Sequence, residues 1–417
     1  MIRIVDSKQI AGILSRKAAR FEEAEAIVRP ILEAVRTRGD KALIEYARKF
    51  DNLDRPSVTV PRAELKAAEK KLSKAFREAV KISSVNIRAF AELQLPVARQ
   101  KTVAPGLKLG QVIRPLDTVA AYIPSGRYPL PSTLLMTVIP AQVAGVPNVC
   151  VASPRPVTEI FGTASLLGVK NVFQMGGAQA IAAFAYGTET VPRADRIVGP
   201  GNIYVAAAKK LLAGEVGIDF IAGPTEILII AAEGNPAWIA ADMLAQAEHD
   251  TDASAVLLTT SKPLAAAVSS EIEKQLSTLS TAETARVAIN NSAIILVKSL
   301  EQAVEISNQF APEHLSIPDS SLVPAIRHAG SIFIGASSPE AAGDYSSGPN
   351  HVLPTSGAAR LRGGLSSADY VKIISTQQLS TAALHKLAPA ITTLARAEGL
   401  EAHARSVEVR LQSKREK

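Results

Sequence analysis

The stretch DTVAAYIP (117–124) begins a series of short apolar segments that alternate with longer helical ones. It is followed by the helical STLLMTVIPAQVAGV (132–146), the apolar NVCVAS (148–153) and the helical EIFGTASLLGV (159–169). Apolar runs of about four to eight residues bounded by turn residues are typical of buried strands. Strands that alternate with helices are typical of βαβ units, so this stretch predicts an α/β fold with a mainly parallel sheet.

The alternation continues as far as GSIFIG (330–335), which gives more strands than one sheet of ordinary width holds. We therefore expect two α/β domains, with a domain break near Tyr122 and a return near Glu226. Residues 8–90 are charged and periodic, which predicts long amphipathic helices, and the pattern becomes helical again from about Asp369. The chain is thus expected to end in a small helical piece.

The composition is that of an ordinary globular protein, with 47% hydrophobic and 20% charged residues among 417. The single cysteine, Cys150, excludes an intrachain disulfide, and no stretch has the pattern of a signal peptide or a membrane span. We expect a cytoplasmic protein with no membrane partner. The net charge of +7 raises the possibility of nucleic-acid binding, but no basic run is interleaved with aromatic residues. A nucleic-acid partner is therefore not expected.

Three glycine-rich loops follow predicted strands: YIPSG (122–126), GGAQ (176–179) and GPGN (199–202). Parallel α/β sheets bind ligands at the carboxyl ends of their strands. Glycine lets the backbone approach a ligand closely, and the N-terminus of the next helix can face a phosphate. Each loop alone is also compatible with a tight turn, and no GxGxxG fingerprint is present. Together the three loops favour a nucleotide site.

Residues that could bind a metal or transfer protons occur in several places. Gln246 and His249 lie three residues apart on a predicted helix and share a face. Glu313 and His314 place a carboxylate beside an imidazole, two groups suited to proton transfer. Each of these groups, taken alone, is also compatible with ordinary polar surface or core residues. The remaining candidates are Asp344, Tyr345, Asn350 and His351 in AAGDYSSGPNHVLPTSG (341–357), and Glu398 and His403 in EGLEAH (398–403).

Taken together, these motifs resemble the histidinol dehydrogenase family, and the likeness runs from about residue 25 to the C-terminus. The most specific segment is IDFIAGPTEILIIAAEGNPAWIAADMLAQAEHD (218–250), which matches in both residue type and spacing. The shorter segments occur in the family's order: YIPSG, GGAQAIAAFAYGT (176–188), VGPGN (198–202), APEHL (311–315), GDYSSGPNHVLPTSG (343–357) and EGLEAH.

The resemblance implies two incomplete Rossmann-like domains with mainly parallel sheets, plus small N-terminal and helical C-terminal pieces. A discontinuous α/β domain of residues 21–121 and 227–364 would carry the zinc and catalytic residues, and residues 122–226 would bind NAD. Residues 1–20 would form an N-terminal arm. Residues 365–417 would reach the partner subunit of a homodimer whose sites are shared across the interface.

The resemblance also implies the activity, which is NAD-dependent oxidation of L-histidinol to L-histidine via L-histidinal, a four-electron reaction of histidine biosynthesis. Zinc, one ion per subunit, would be held by Gln246, His249, Asp344 and, from the partner subunit, His403. The NAD contacts would be Tyr122, Gln179 and Asn202, and the catalytic residues Glu313 and His314. The substrate contacts would be Thr225, Gln246, His249, His314, Asp344, Glu398 and His403. Thr225 stands where many members of the family carry serine, and its hydroxyl is retained.

An alternative on the same scaffold is a zinc- and NAD-dependent dehydrogenase that acts on another polar alcohol, such as a sulfonated propanediol. Glu398 favours histidinol, because a carboxylate can pair with the ammonium of that substrate. A sulfonate would favour a cationic residue at this position. A scaffold without activity is disfavoured, because every implied catalytic and metal-binding position holds a competent residue.

Overall fold

The structure, a computed structural model, describes residues 2–7, 21–125, 128–155, 157–221 and 223–412. Most of the predicted N-terminal arm therefore lies outside the described residues. The strands are β1 (Arg3–Asp6), β2 (Arg99–Ala104), β3 (Leu107–Pro115), β4 (Thr118–Tyr122), β5 (Asn148–Ser153), β6 (Asn171–Gln174), β7 (Arg196–Val198), β8 (Gly217–Ile218), β9 (Glu226–Ile230), β10 (Ser254–Thr259), β11 (Ala293–Leu296), β12 (His314–Ile317), β13 (Ser331–Ile334) and β14 (Val371–Leu379).

The α-helices are likewise numbered in chain order. They are α1 (Phe21–Arg38), α2 (Asp40–Asp51), α3 (Arg62–Lys71), α4 (Lys74–Leu93), α5 (Pro131–Val143), α6 (Thr158–Leu166), α7 (Gly177–Tyr186), α8 (Ile203–Leu212), α9 (Pro236–Ala247), α10 (Lys262–Leu276), α11 (Ala282–Ile289), α12 (Leu300–Phe310), α13 (Glu340–Tyr345), α14 (Thr381–Ala397) and α15 (Glu401–Gln412). The described chain divides into two units, one up to Gln94 with Leu116–Tyr370, the other Leu95–Pro115 with the residues from Val371.

The first unit contains two parallel sheets. Five strands pair in the order β6-β5-β4-β7-β8, and six pair in the order β1-β11-β10-β9-β12-β13. Every pairing in the two sheets is parallel. The expected α/β class with mainly parallel sheets is thereby confirmed.

The strand order of the five-stranded sheet reverses between β4 and β7. From β4 the chain moves outward through β5 and β6, and then returns to the other side of β4 with β7 and β8. Crevices outside the carboxyl ends of parallel strands form at such reversals. The loops that begin at Tyr122 and Gly199 both start at this edge, as the sequence predicts.

The N-terminal helices pack on the five-stranded sheet. Val28 of α1 and Leu43 of α2 share one core with Tyr122, and Leu65 of α3 shares the core on the opposite face with Val119. The predicted division, which grouped residues 21–121 with 227–364, differs from this arrangement. The reason is that an amphipathic helix buries its apolar stripe against whichever sheet face is open, and the helix sequence does not identify that face.

The first strand, β1, pairs in parallel with β11 at the edge of the six-stranded sheet. Residues 3–6 are thus part of this sheet, whereas the sequence predicted an arm there. Residues 8–20, the rest of the predicted arm, lie outside the described residues. The strand is short and mostly exposed, with the burial pattern of an edge element. Its pairing partner lies far along the chain, so local sequence does not reveal the contact.

The second unit combines an antiparallel sheet with two helices. Strand β14 pairs with β3 over nine residues, and β3 also pairs with β2. The sequence predicted a helical piece over 365–417; α14 and α15 agree with that prediction, whereas β14 does not. The exposed strand VKIISTQQL has no buried apolar face to mark it, and its partner is distant in the sequence.

Candidate active site

The residues Glu313 and His314 stand where α12 leads into β12, and Thr225 directly precedes β9. Strands β9 and β12 are parallel neighbours, with His314 opposite Ile227. The group therefore lies at the amino ends of these strands. Because the sequence predicts ligand sites in the loops that follow strands, this pair was recognisable there only as an adjacent acid and imidazole.

Hydrogen bonds join Thr225 to Glu313. The Thr225 hydroxyl donates to Glu313 Oε2 at 2.6 Å, and the backbone N–H of Glu226 donates to the same oxygen at 2.9 Å. Glu313 is 5% exposed, and its burial raises the pKa of this carboxyl while His314 and Thr225 act in the opposite direction. The fixed carboxylate oxygen is Oε2, which leaves Oε1 as the oxygen to act on a ligand.

The imidazole of His314 is buried, at 3% exposure. Its Nδ1 lies 3.2 Å from the carbonyl oxygen of Glu226, an arrangement in which Nδ1–H donates and Nε2 keeps its lone pair. Nε2 is a buried atom with no hydrogen-bond partner in the described part of the chain. Burial acts to lower the pKa of His314, but Glu340, Glu313 and Asp344 together raise it to about 10. The imidazole is therefore neutral, with a lone pair on Nε2, once a bound cation offsets these carboxylates.

A cluster of possible metal ligands lies next to this imidazole. One ligand atom from each of His249, Glu340 and Asp344 lies within 4.8 Å of the others. His249 Nε2 is 3.8 Å from Asp344 Oδ2, and Asp344 Oδ1 is 3.8 Å from His314 Nε2. The carboxamide of Gln246 lies between Thr225 and Glu340: one end is 2.7 Å from Thr225 Oγ1, the other 2.5 and 3.2 Å from the Glu340 oxygens.

This donor set fits a divalent cation. Imidazole nitrogen and carboxylate oxygen are ordinary zinc ligands. Three buried or largely buried carboxylates, Glu313, Glu340 and Asp344, surround a single buried imidazole, and buried negative charge of this kind needs a compensating cation. The predicted ligands Gln246, His249 and Asp344 are thus brought together by the fold.

Glu340 was not predicted from the sequence. It begins α13 and Asp344 lies four residues later, so both side chains occupy one face of the helix. Burial raises the pKa of Glu340 to about 8. The four-residue spacing between Glu340 and the aspartate of the GDY motif is the sequence signal that could have identified Glu340.

The polar loop that follows α13 contacts the backbone of Asp344. His351 Nδ1 lies 2.8 Å from the carbonyl oxygen of Asp344, and its Nε2 lies 3.2 Å from the Thr133 hydroxyl. Asn350 donates to the carbonyl of Met136 at 2.6 Å. His351 and Asn350 therefore anchor the loop, while Tyr345, another residue singled out from the sequence, is 56% exposed.

The three residues predicted to contact NAD lie at the carboxyl-end side of β4, β6 and β7: Tyr122 ends β4, Gln179 is in the first turn of α7, and Asn202 directly precedes α8. The Tyr122 hydroxyl accepts from the Gly177 N–H at 3.2 Å. Gln179 is buried and donates to Asp51, an acid that no sequence motif marks. Asn202 Oδ1 accepts from two N–H groups of α8 at 3.1 Å each, so it caps the helix and its amide nitrogen is the group to offer a ligand.

A buried ion pair holds the loop that begins at Gly199. Lys209 Nζ lies 2.7 Å from Asp219 Oδ1 and donates to the Gly199 carbonyl at 2.6 Å, while the Gly199 N–H donates to Asp219 Oδ2 at 2.7 Å. The two side chains are 4% and 1% exposed. Both backbone polar groups of Gly199 are therefore fixed by one charge pair.

Replacing Lys209 with Met should lower the free energy of unfolding by about 3–5 kcal/mol, because Asp219 is left as an uncompensated buried charge. Denaturant unfolding measures this change. Lys210→Met is the matched control: Lys210 is 46% exposed and pairs with Glu25, so its loss should change stability by only about 0–1 kcal/mol. Equal stability of the two variants would contradict this account of the loop.

Glu398 and His403 belong to the second unit. Glu398 follows the last residue of α14, Gly399 turns the chain with a φ of 76°, and His403 lies in the first turn of α15. Both Glu398 and His403 are exposed, and their part in the site stays a prediction.

Comparison with known proteins gives matches over nearly the whole chain. A family model described as "Histidinol dehydrogenase" matches residues 14–411. The chain is 46% identical over 419 residues to the histidinol dehydrogenase of Geobacter sulfurreducens, with 97% of each chain covered. It is 47% identical over 398 residues to that of Halalkalibacterium halodurans, covering 93% of this chain and 94% of the other. The crystal structure of histidinol dehydrogenase from Elizabethkingia anophelis matches with a TM-score of 0.95 at 36% identity, covering 99% and 98% of the two chains.

Proposed function

The chain belongs to the histidinol dehydrogenase family, and from this premise we propose that it oxidises L-histidinol through L-histidinal to L-histidine with zinc and two molecules of NAD+. Family membership makes the chain an oxidoreductase of histidine biosynthesis. The observation that carries the finer proposal is the buried Nε2 of His314, which has no hydrogen-bond partner among the described residues and faces the ligand cluster.

Gln246, His249 and Asp344 would hold the zinc ion, together with His403 supplied by the partner subunit of a homodimer. When bound, zinc supplies positive charge that orients the polar groups of the substrate and offsets the carboxylates around His314. The substrate would contact these residues and the Thr225 hydroxyl. The homodimer and the shared site belong to the proposal.

His314 acts as the base in the first oxidation. Its Nδ1–H is held by the Glu226 carbonyl, so Nε2 accepts the proton of the substrate hydroxyl. A positioned acid–base group of this kind contributes roughly 10²–10⁴-fold to the rate. NAD+, when bound against Tyr122, Gln179 and Asn202, supplies the hydride acceptor for each of the two oxidations.

Glu313 acts in the second oxidation, in which the aldehyde is first hydrated. Thr225 and Glu226 fix Oε2, so Oε1 takes a proton from the water that adds to the aldehyde carbon. The protonated His314 returns the proton it took in the first oxidation to the aldehyde oxygen, which frees Nε2 again. Burial raises the pKa of Glu313 and strengthens it as a base. His314 then accepts the proton of the hydrate as the carboxylate of L-histidine forms.

Glu398 is proposed to select the amine-bearing substrate, because its carboxylate can pair with an ammonium group. A sulfonated diol is the second candidate substrate on the same zinc and NAD apparatus. We place the protein in the cytoplasm. Among the described residues no helix is both long and apolar enough to cross a membrane.

The test is NADH formation at alkaline pH by purified, zinc-loaded protein offered L-histidinol and then a sulfonated propanediol. We expect two NADH per L-histidinol, loss of this activity with a chelator and its return with zinc. Zinc content is measured in parallel. Activity that survives complete removal of zinc would overturn the metal assignment, and zinc-loaded protein that reduces NAD+ only with the diol would replace the substrate.

A further inference from the structure

A buried acid outside the proposed site residues contacts the loop between β6 and α7. Asp51 ends α2 and is 8% exposed. Its Oδ2 accepts from the backbone N–H of Gly176 at 2.8 Å and from Gln179 Nε2 at 3.0 Å. The acid lies 125 residues before the loop it holds, so one carboxylate connects the N-terminal helices to a predicted cofactor residue.

The loop is closely packed on both sides. A Cβ atom on Gly176 would lie 2.9 Å from Asp51 Oδ1 and 2.6 Å from Pro154, so only glycine allows Asp51 to approach. Gly177 has a φ of 58°, a conformation that favours glycine, and its N–H donates to the Tyr122 hydroxyl. The loop is therefore held by Tyr122 from one strand and by Asp51 from a helix.

The contact determines how Gln179 presents its amide. Because Nε2 donates to Asp51, the amide oxygen is the end of the side chain available to accept a hydrogen bond from a ligand. Gln179 lies in the first turn of α7, whose initial N–H groups have no partner within the helix. An amide of fixed orientation at the N-terminus of a helix suits the hydroxyl and phosphate groups of a dinucleotide.

We propose that Asp51 is a positioning residue for cofactor binding: it fixes the Gly176–Gln179 loop and turns the Gln179 amide so that its oxygen meets NAD+. The proposal rests on the proposed function, in that NAD+ binds at these loops. Asp51 acts through Gln179 and the loop backbone, and is not itself a catalytic residue.

Burial of this acid opposes stability. It raises the pKa of Asp51 from 3.8 to about 6, although the two hydrogen bonds and the Arg155 guanidinium act in the opposite direction. The Tyr122 phenol also faces this group. Since the folded protein holds the proton more tightly than the unfolded chain, stability falls as pH rises from about 3.8 to 6 and stays lower above that range.

The experiment compares variants by their Kd for NAD+, measured by calorimetric titration of the zinc-loaded full chain. Asp51→Leu removes the acceptor that holds the loop and the Gln179 amide, so both must be ordered when NAD+ binds and the Kd should rise at least tenfold. Asp51→Asn keeps an acceptor oxygen in place of Oδ2, so its Kd should stay within about threefold of the unmodified chain. It should also unfold at an equal or higher temperature at pH 8, because no charge is buried.

Asp54→Leu is the matched control, since Asp54 is exposed three residues away and its Kd should be unchanged. If Asp51→Leu does not fold, Asp51→Val replaces it with the same expectation. Binding by the apolar variant as tight as that of the unmodified chain would overturn the proposal, as would an Asp51→Asn variant that binds as weakly as Asp51→Leu. An unmodified chain that fails to bind NAD+ would instead overturn the proposed function.

Discussion

Replacement of His314 by Asn is expected to lower kcat for L-histidinol oxidation by roughly 10²–10⁴-fold, with a much smaller change in KM. The amide nitrogen of Asn can still donate to the Glu226 carbonyl, which His314 Nδ1 approaches at 3.2 Å. The variant has no atom in place of Nε2, so the substrate hydroxyl loses its proton acceptor. Because the two oxidations both require this base, the rate should fall with L-histidinol and with L-histidinal.

Steady-state NADH formation with each substrate measures the effect. His385→Asn is the control, because His385 is an exposed residue of α14 and its loss should leave kcat unchanged. Zinc content and the temperature of unfolding show whether the His314 variant is intact. An intact His314→Asn protein with normal kcat in both half-reactions would remove His314 from the mechanism.

Replacement of Glu313 by Gln is expected to lower oxidation of L-histidinal by roughly 10²–10⁴-fold while oxidation of L-histidinol to the aldehyde is affected less. An amide oxygen can still accept from the Thr225 hydroxyl and the Glu226 N–H, which lie 2.6 and 2.9 Å from the carboxylate. The amide cannot take a proton from water. Hydration of the aldehyde should therefore become slow, and NADH per L-histidinol should fall from two towards one.

The readout is the ratio of NADH to L-histidinol consumed, together with trapping of released L-histidinal. Glu305→Gln is the matched control, since Glu305 is exposed on α12 and the ratio should stay at two. If the Glu313→Gln protein oxidises L-histidinal at the normal rate, the hydration step does not depend on this carboxylate. Equal slowing of both half-reactions would instead assign Glu313 to positioning of the neighbouring His314.

The class of the fold could be predicted because it depends on local pattern. Short apolar runs such as NVCVAS became buried parallel strands, and the glycine loops after β4, β6 and β7 lie at the carboxyl ends of those strands. Gln246 and His249 could be paired because they lie three positions apart, although α9 ends at Ala247 and His249 lies just beyond the helix on which it was predicted. Asp344 was identifiable from a polar loop with little hydrophobic content.

Other features depended on contacts between distant parts of the chain. The strand β14 was predicted as helix, since nothing near it in the sequence marks its pairing with β3, which lies more than 250 residues earlier. The N-terminal helices pack on the five-stranded sheet, whereas the predicted division grouped them with residues 227–364. Glu313 and His314 lie at the amino ends of β9 and β12, whereas the sequence predicts ligand sites at the carboxyl ends of strands.

The sequence by itself determined the α/β class, the family and the chemical types of the candidate residues, because periodicity, turn residues and motif spacing are properties of neighbouring positions. Only the tertiary structure decided that Glu340 joins the ligand cluster, that Asp51 holds Gln179, and that Lys209 pairs with Asp219. The physical reason is that a buried charge is stable only beside its partners. Those partners become neighbours when strands and helices from distant segments pack around one core.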